Sequence, residues 1–336
     1  MKKQDKLMFY VQNFFTEYLT IHRGLSLNTI KTYRDSLKLF LKFVAKKKNK
    51  AVVKLTLVDL NADNVISFLR KIEDSGSCIV TRNLRLASLK TFFTYLISQD
   101  ILHAGEYQKI IAIPLKKSQK PLMEYLEVHE IKAITESINR KDSRGERDYI
   151  ILNLLYNTGA RVSEICNLKV SQIRLQSPPL ITVLGKGGKL RQIPLWQETA
   201  LLLKNYLCQK ELINDSKATV FLNSAGKSIS RFGIRYIIQR RVADVVIKCP
   251  SLAKKKIGPH TIRHTTAMHL LQAGVDLSVI KSWLGHVSLS TTHSYVEIDL
   301  EMKRKALSAC NSISEPFNLK KIIGKNEDVI KWLETL

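Results

Sequence analysis

Apolar residues recur at three-to-four spacing over most of the first hundred positions, the period of a helix with one buried face. Phe14, Tyr18 and Ile21 form the first such row. Ser26 then stands ahead of Leu27, Asn28 and Thr29 as an N-cap, and Tyr33, Leu37, Phe40, Leu41 and Val44 make the stripe of the helix it opens. A third helix is predicted over 62–72 and a fourth over 80–99. In the fourth, Leu84, Leu86, Leu89, Phe92, Phe93 and Leu96 are apolar, while Arg82, Arg85 and Lys90 lie on the other face. From Phe9 to about Leu102 the pattern is that of a small helical bundle with basic residues on at least one side.

The stretch IPLKKSQKPLMEYLEVHEIKAI interrupts this rhythm with Pro114, Pro121, Lys116 and Lys117, and a new helix is predicted near Glu127. It reads as a basic linker, either crossing a polyanion or simply solvated. After Asp148 the pattern is mixed. DYIILNLLYNTGA is an apolar helix stopping at Gly159, and PLITVLGKGGKLRQIPL alternates and turns at Gly187 and Gly188, as a β-hairpin does. A helix over 198–210, a short strand over 219–223 and helices over 230–248, 260–273, 276–283 and 288–296 complete the prediction. The expected fold is mostly α with a small β-sheet, a helical bundle followed by an α+β domain. The boundaries are set at 1–113 for the bundle, 114–126 for the linker, 127–312 for the second domain and 313–336 for a tail.

Charge narrows the partners. The 336 residues hold 54 Lys and Arg against 29 Asp and Glu, a formal net charge of +25 spread over both halves. Such an excess points first to nucleic acid, ahead of an anionic membrane surface. Five cysteines (Cys78, Cys166, Cys208, Cys249 and Cys310) are odd in number, widely spaced and free of Cys-x-x-Cys pairs. They read as reduced thiols with no metal knuckle. No signal peptide or long apolar run is visible, so a cytoplasmic protein with no membrane partner is expected.

Four segments offer unusual polar residues. In NTGARVSEICNL, Gly159 permits a tight turn, Arg161 opens a helix and Glu164 stands one turn later on the same face. Arginine suits bidentate binding of phosphate oxygens, although a surface Arg–Glu pair has the same spelling. In LGKGGKLRQIPL a hairpin tip carrying Lys186, Lys189 and Arg191 could enter a groove; its glycines do not have P-loop spacing. PHTIRHTTAMHLLQAG places His260 and Arg263 three apart on one helical face. His260 and His264 have a spacing that zinc sites use, but no intervening Glu or third ligand accompanies them. His264 and His269 read as packing residues. In LGHVSLSTTHSYVEI, Tyr295 follows His286 by nine residues in a run of small hydroxylated side chains. Together these residues form a set suited to metal-free phosphoryl transfer on DNA. Two guanidinium groups offset the charge of a pentacoordinate phosphorane, a lysine protonates the leaving oxygen, and a tyrosine, with a reference pKa near ~10, needs a base and a cationic pocket to attack.

The segments TGARVSEICNL, GKGGKLRQIPL, HTIRH and LGHVSLSTTHSY, in this order and spacing, resemble the tyrosine recombinases: Xer-type recombinases, phage integrases and transposon-borne integrases. Ile262 stands where Leu is more usual. The resemblance implies a SAM-like, DNA-binding core-binding bundle ahead of the catalytic domain. It implies that Arg161 and Arg263 clamp the non-bridging oxygens of the scissile phosphate and that Lys186 is the general acid, with Lys189 a second candidate. His260 would be the general base, His286 a hydrogen-bond donor to the phosphate, Glu164 a supporting acid and Tyr295 the nucleophile that becomes joined to a DNA 3′-phosphate. Arg82, Arg85, Lys90, Lys116, Lys117, Lys189 and Arg191 are the DNA-binding candidates.

No cofactor, ATP or metal is implied. Strand exchange would pass through a Holliday junction in a homo-tetramer on two double-stranded DNA sites with paired half-sites, with an accessory DNA-bending protein or partner recombinase as further candidates. The role expected first is integration, excision or transposition of a mobile element. The alternatives are an Xer-type dimer resolvase, a type IB topoisomerase-like relaxase and a non-catalytic DNA-binding regulator. No segment ahead of the bundle suggests an arm-binding domain, so a lambda-type integrase is not expected. In NEDVIKWLETL, Val329, Ile330, Leu333 and Leu336 form an apolar row that would dock on a neighbouring protomer or on its own.

Overall fold

The computed structural model describes residues 5–118, 123–185 and 188–285. Lys186, His286, Tyr295, the helix expected over 288–296 and the 313–336 tail lie outside the described residues. The chain divides after Pro121 into two compact units.

The first unit is helical throughout: α1 (Asp5–Asn13), α2 (Leu27–Lys47), α3 (Ala62–Asp74), α4 (Ile79–Gln99) and α5 (Ala104–Ala112). Ser26 caps α2, its hydroxyl accepting a hydrogen bond from the Thr29 amide, and Asn61 caps α3 in the same way through Asn64. Leu37, Phe40 and Val44 of α2 and Leu86, Leu89, Phe92, Phe93 and Leu96 of α4 fill the core. Between α1 and α2, residues Phe14–His22 wind as a π-helix. Phe14 and Leu19, five apart, are its buried residues, which suits a turn wider than that of an α-helix. The expected row therefore fails at its third member, and Ile21 is 71% exposed. A further helix, α5, was not expected; it inserts Tyr107 and Ile110 into the core, where the Tyr107 hydroxyl donates to Asp100.

The expected basic face of α4 is only partly open. Arg82 is buried, its guanidinium donating to Asn83 Oδ1 and the Pro114 carbonyl and facing Glu73 at 3.5 Å. Arg85 donates to the Ser36 hydroxyl, and Lys90 is half-buried. Lys116 is tied to this unit through its main chain on Asn83 and its ammonium on Glu73, whereas Lys117 is exposed.

The second unit holds α6 (Val128–Glu136), α7 (Ser143–Thr158), α8 (Val162–Cys166), α9 (Gln197–Gln209), α10 (Arg231–Val245), α11 (Pro259–Gln272) and α12 (Leu277–Leu284). Three antiparallel strands, β1 (Ile173–Arg174), β2 (Leu180–Leu184) and β3 (Leu190–Pro194), follow α8 in the order β1-β2-β3. The β2–β3 pair is the expected hairpin, with Ile181 opposite Ile193 and Val183 opposite Arg191. Ile181, Val183 and Ile193 point inward to the core. Thr219–Asn223 is not a full strand. Thr219 and Leu222 each make only an isolated bridge, to Lys169 and Ser228.

The apolar helix α7 packs against α9 and α11. Helix α11 is buried along most of its length despite three threonines, because their hydroxyls are satisfied. Thr265 and Thr266 donate to carbonyls one turn back, Thr265 accepts from the Leu126 amide, and Thr266 also donates to the Tyr156 carbonyl. Among the described residues no helix is long and apolar enough to cross a membrane.

Candidate active site

Three backbone features bring the sequence-selected residues to one place. Helix α7 ends at Gly159, which adopts φ +57 and sends the chain directly to Arg161 at the N-cap of α8. Helix α12 ends at Gly285, at φ +65, immediately before His286 in the sequence. Helix α11 starts at Pro259 and carries His260 and Arg263 on its first turn. A Cβ at Gly159 would lie 2.6 Å from Leu284 Cδ2, so the ends of α7 and α12 pack together at that glycine.

Arg263 is 4% exposed and ties these ends together. One guanidinium nitrogen donates to the Gly159 carbonyl and another to the Leu284 carbonyl, both at 2.6 Å. Arg161, more open at 27% side-chain exposure, donates to Glu164 Oε1 at 3.1 Å and to the Gly285 carbonyl at 3.2 Å. Its main-chain amide donates to Glu164 Oε2 at 2.7 Å. Both guanidinium groups are thus oriented by main-chain carbonyls, Arg263 at the ends of α7 and α12 and Arg161 at the end of α12, with Glu164 as the carboxylate of the site.

Glu164 is not the surface partner its spacing allows. Its side chain is 5% exposed. Burial by itself would raise its carboxyl pKa, but the hydrogen bonds and charge of Arg191, followed by those of Arg161, outweigh burial and hold it below the usual range. Arg191 does not project into a groove, contrary to its expected place at an open hairpin tip. It is 10% exposed, donates to both Glu164 oxygens at 3.0 and 2.6 Å and reaches the Trp283 carbonyl at 3.0 Å. The strand alternation carries this signal, because Arg191 shares the inward face of β3 with Ile193.

His260 lies within electrostatic reach of both arginines. Although His260 is exposed, partial desolvation, then the charges of Arg263 and Arg161, lower its pKa below the ordinary imidazole value. His264, one turn deeper, is lowered to about 4, by burial first and then by His260 and Arg263. His264 is partly buried, and His269 is engaged by the Tyr156 hydroxyl at 2.7 Å. His260 also lines a groove of about 460 Å³ with Arg235, Gln239, Lys255, Lys256 and Gly258. At the hairpin tip, Gly185 pairs with Lys189 and Gly188 takes φ +75; Lys189 is exposed.

Of the six residues selected as catalytic, Arg161, His260 and Arg263 are described and lie together, while Lys186, His286 and Tyr295 fall outside the described residues. Among the described residues the single group of three potential metal ligands is His129, Glu130 and Cys249. There Glu130 is already engaged by Lys255 and the Ser251 hydroxyl.

The sequence profile of the phage integrase family matches residues 124–302, and that of the phage integrase N-terminal SAM-like domain matches residues 13–100. The chain belongs to this family of tyrosine recombinases. It is an enzyme of the kind that cleaves and rejoins DNA in site-specific recombination. The recombinase is 34% identical over 315 residues to the integrase/recombinase y4rC of Sinorhizobium fredii, covering 94% of each chain. It is 31% identical to the tyrosine recombinase XerC of Thermodesulfovibrio yellowstonii, over 87% of this chain and 93% of that one. The crystal structure of the XerH site-specific recombinase bound to its difH substrate superposes with a TM-score of 0.65 at 26% identity, covering 85% of this chain and 80% of that one.

Proposed function

We propose that this recombinase exchanges strands between two specific double-stranded DNA sites, with Tyr295 as the nucleophile. The observation that carries this reading is the convergence of Arg161 and Arg263 beside His260, both arginines held by carbonyls at the end of α7 or α12. Two fixed guanidinium groups next to a proton acceptor suit a phosphodiester whose charge increases as it is attacked.

In the proposed step the Tyr295 oxygen bonds to phosphorus while the bond from phosphorus to the 5′-oxygen breaks. The phenolic proton passes to His260, and Lys186 supplies a proton to the departing 5′-oxygen. Arg161 and Arg263 hold the non-bridging oxygens, and His286 donates a hydrogen bond to them. The 3′-phosphotyrosyl bond conserves the phosphodiester energy. A 5′-hydroxyl of the partner strand then attacks it, and two rounds, separated by a Holliday junction, complete exchange in a homo-tetramer. On this reading 1–113 binds DNA, 127–312 carries the chemistry, 114–126 is the basic linker, and the 313–336 tail joins protomers. The XerH relative bound to its DNA substrate before cleavage supports DNA as the partner.

Two biological settings have support. The likeness to an integrase/recombinase over nearly the whole chain favours movement of a mobile element. The XerC relatives favour an Xer-type role in resolving chromosome or plasmid dimers. The chemical reading is tested on a supercoiled plasmid carrying two copies of the DNA site, in chelator and without ATP. Deletion or inversion products are expected. Relaxation of a plasmid lacking the site, with no exchange products, would replace the proposal with a topoisomerase.

A further inference from the structure

Arg191 is a basic residue of the hairpin that the proposed chemistry leaves without a task. Its surroundings are unusual for a strand arginine. It sits on the inward side of β3, opposite Val183, and only 10% of its side chain is exposed. Two of its nitrogens grip the two oxygens of Glu164, and its Nε donates to the Trp283 carbonyl. Gly285 closes over it; a Cβ there would lie 3.1 Å from Arg191 Cδ and 3.2 Å from its Nη1. Gly185, next to Lys186 in the sequence, backs onto the same guanidinium, at 3.2 Å from its own hypothetical Cβ. One side chain therefore joins the hairpin beside Lys186, the start of α8 at Arg161 and the end of α12 before His286.

The charge balance gives this junction a chemical consequence. Glu164 is a buried carboxylate that also bonds Arg161. With only these two, the pair would be neutral, and a phosphate would compete with Glu164 for the Arg161 guanidinium. Arg191 makes the group a triad of two positive charges and one negative. It takes both carboxylate oxygens in the stronger, bidentate geometry, leaving Arg161 a single 3.1 Å side-chain contact. We infer that Arg191 is a positioning residue for strand cleavage: it occupies Glu164 and anchors the end of α12, so that Arg161 is both aimed and electrostatically free to hold the scissile phosphate. The inference rests on the recombinase reading above and deepens it. Lysine cannot replace this fork, because an ammonium is a point donor on a flexible stem.

The test compares wild type, Arg191→Lys and Arg161→Lys in single-turnover cleavage on two DNA duplexes. One has the native scissile phosphate; the other has a methylphosphonate there, which removes a negative oxygen and with it part of the demand on Arg161. DNA binding and thermal unfolding are followed for the same proteins. Arg191→Lys is expected to bind DNA within about threefold of wild type and to unfold at a similar temperature, yet to cleave the native duplex about ten- to a hundredfold more slowly. On the methylphosphonate that deficit should shrink in parallel with the deficit of Arg161→Lys. Cleavage of the native duplex within twofold of wild type would overturn the inference. So would a deficit of equal size on both duplexes, which marks a general structural role. Absence of cleavage by wild type would strike the recombinase reading itself and is thereby distinguished.

Discussion

At the residue scale, burial decides which charges are available to a ligand. Arg82 is buried and Arg191 nearly so, and both are committed to partners within their own units, whereas Arg263 is buried but fixed by main-chain carbonyls beside Arg161. Arg161 keeps more than a quarter of its side chain open. The two histidines at the start of α11 respond to the same environment in the opposite sense, with pKa values pushed below the ordinary 6.5 by desolvation and by neighbouring positive charge. The sign of the linkage follows. A histidine whose folded-state value is depressed binds its proton more readily when unfolded, so its contribution is complete above pH 6.5 and is lost as pH falls toward the folded value. For His264 that window runs from 6.5 down to about 4. The unfolding temperature should decline through this window, and His264→Gln should flatten the decline. A profile with the same slope in both proteins would show that His264 does not titrate this way.

At the scale of elements, the helix ends place the chemistry. Gly159 is constrained twice over, by its left-handed backbone and because a Cβ there would lie 2.6 Å from Leu284 Cδ2 and 3.3 Å from Thr266 Cγ2. Gly274 at the end of α11 shares the backbone requirement, φ +81, but faces open space. Gly274→Ala should therefore cost about 1 kcal/mol, the backbone strain alone. Gly159→Ala should cost roughly 2–4 kcal/mol, because overpacking is added to that strain. Denaturant unfolding of the two variants measures the difference directly, and equal costs would mean that Leu284 yields without penalty.

The elements also show what the sequence makes legible. The Ser26 cap, the stop at Gly159 and the hairpin alternation are local signals, and the helices and strands they predict are present. The π-helix at Phe14–His22 was hidden because its five-residue spacing imitates a helical row until Ile21 is reached. Helix α5 was hidden because its nine residues contribute only Tyr107 and Ile110 to the core. Thr219–Asn223 had strand composition but lacked a neighbour long enough to pair with. In the site, residue types and spacing singled out Arg161 and Arg263. The carbonyls that orient them, at Gly159, Leu284 and Gly285, have no side-chain signature and emerge only when distant helix ends meet. The charge of Arg191 suggests an open tip, but strand parity puts it on the inward face of β3 with Ile193.

At the scale of the whole molecule, a net charge of +25 and two compact units belong to a tyrosine recombinase matched along nearly its full length by relatives of the family. Charge of this size draws a protein to any DNA, and phosphate contacts position it without choosing a sequence. The proposed strand exchange passes through a covalent step at Tyr295. The most direct measurement captures that step in cells expressing wild type or Tyr295→Phe: the protein is recovered under denaturing conditions and the ends of attached DNA are sequenced. The account predicts DNA attached to wild type at one sharp cluster of ends, and none attached to Tyr295→Phe. An adduct of equal yield on Tyr295→Phe would contradict it and move the nucleophile to another residue.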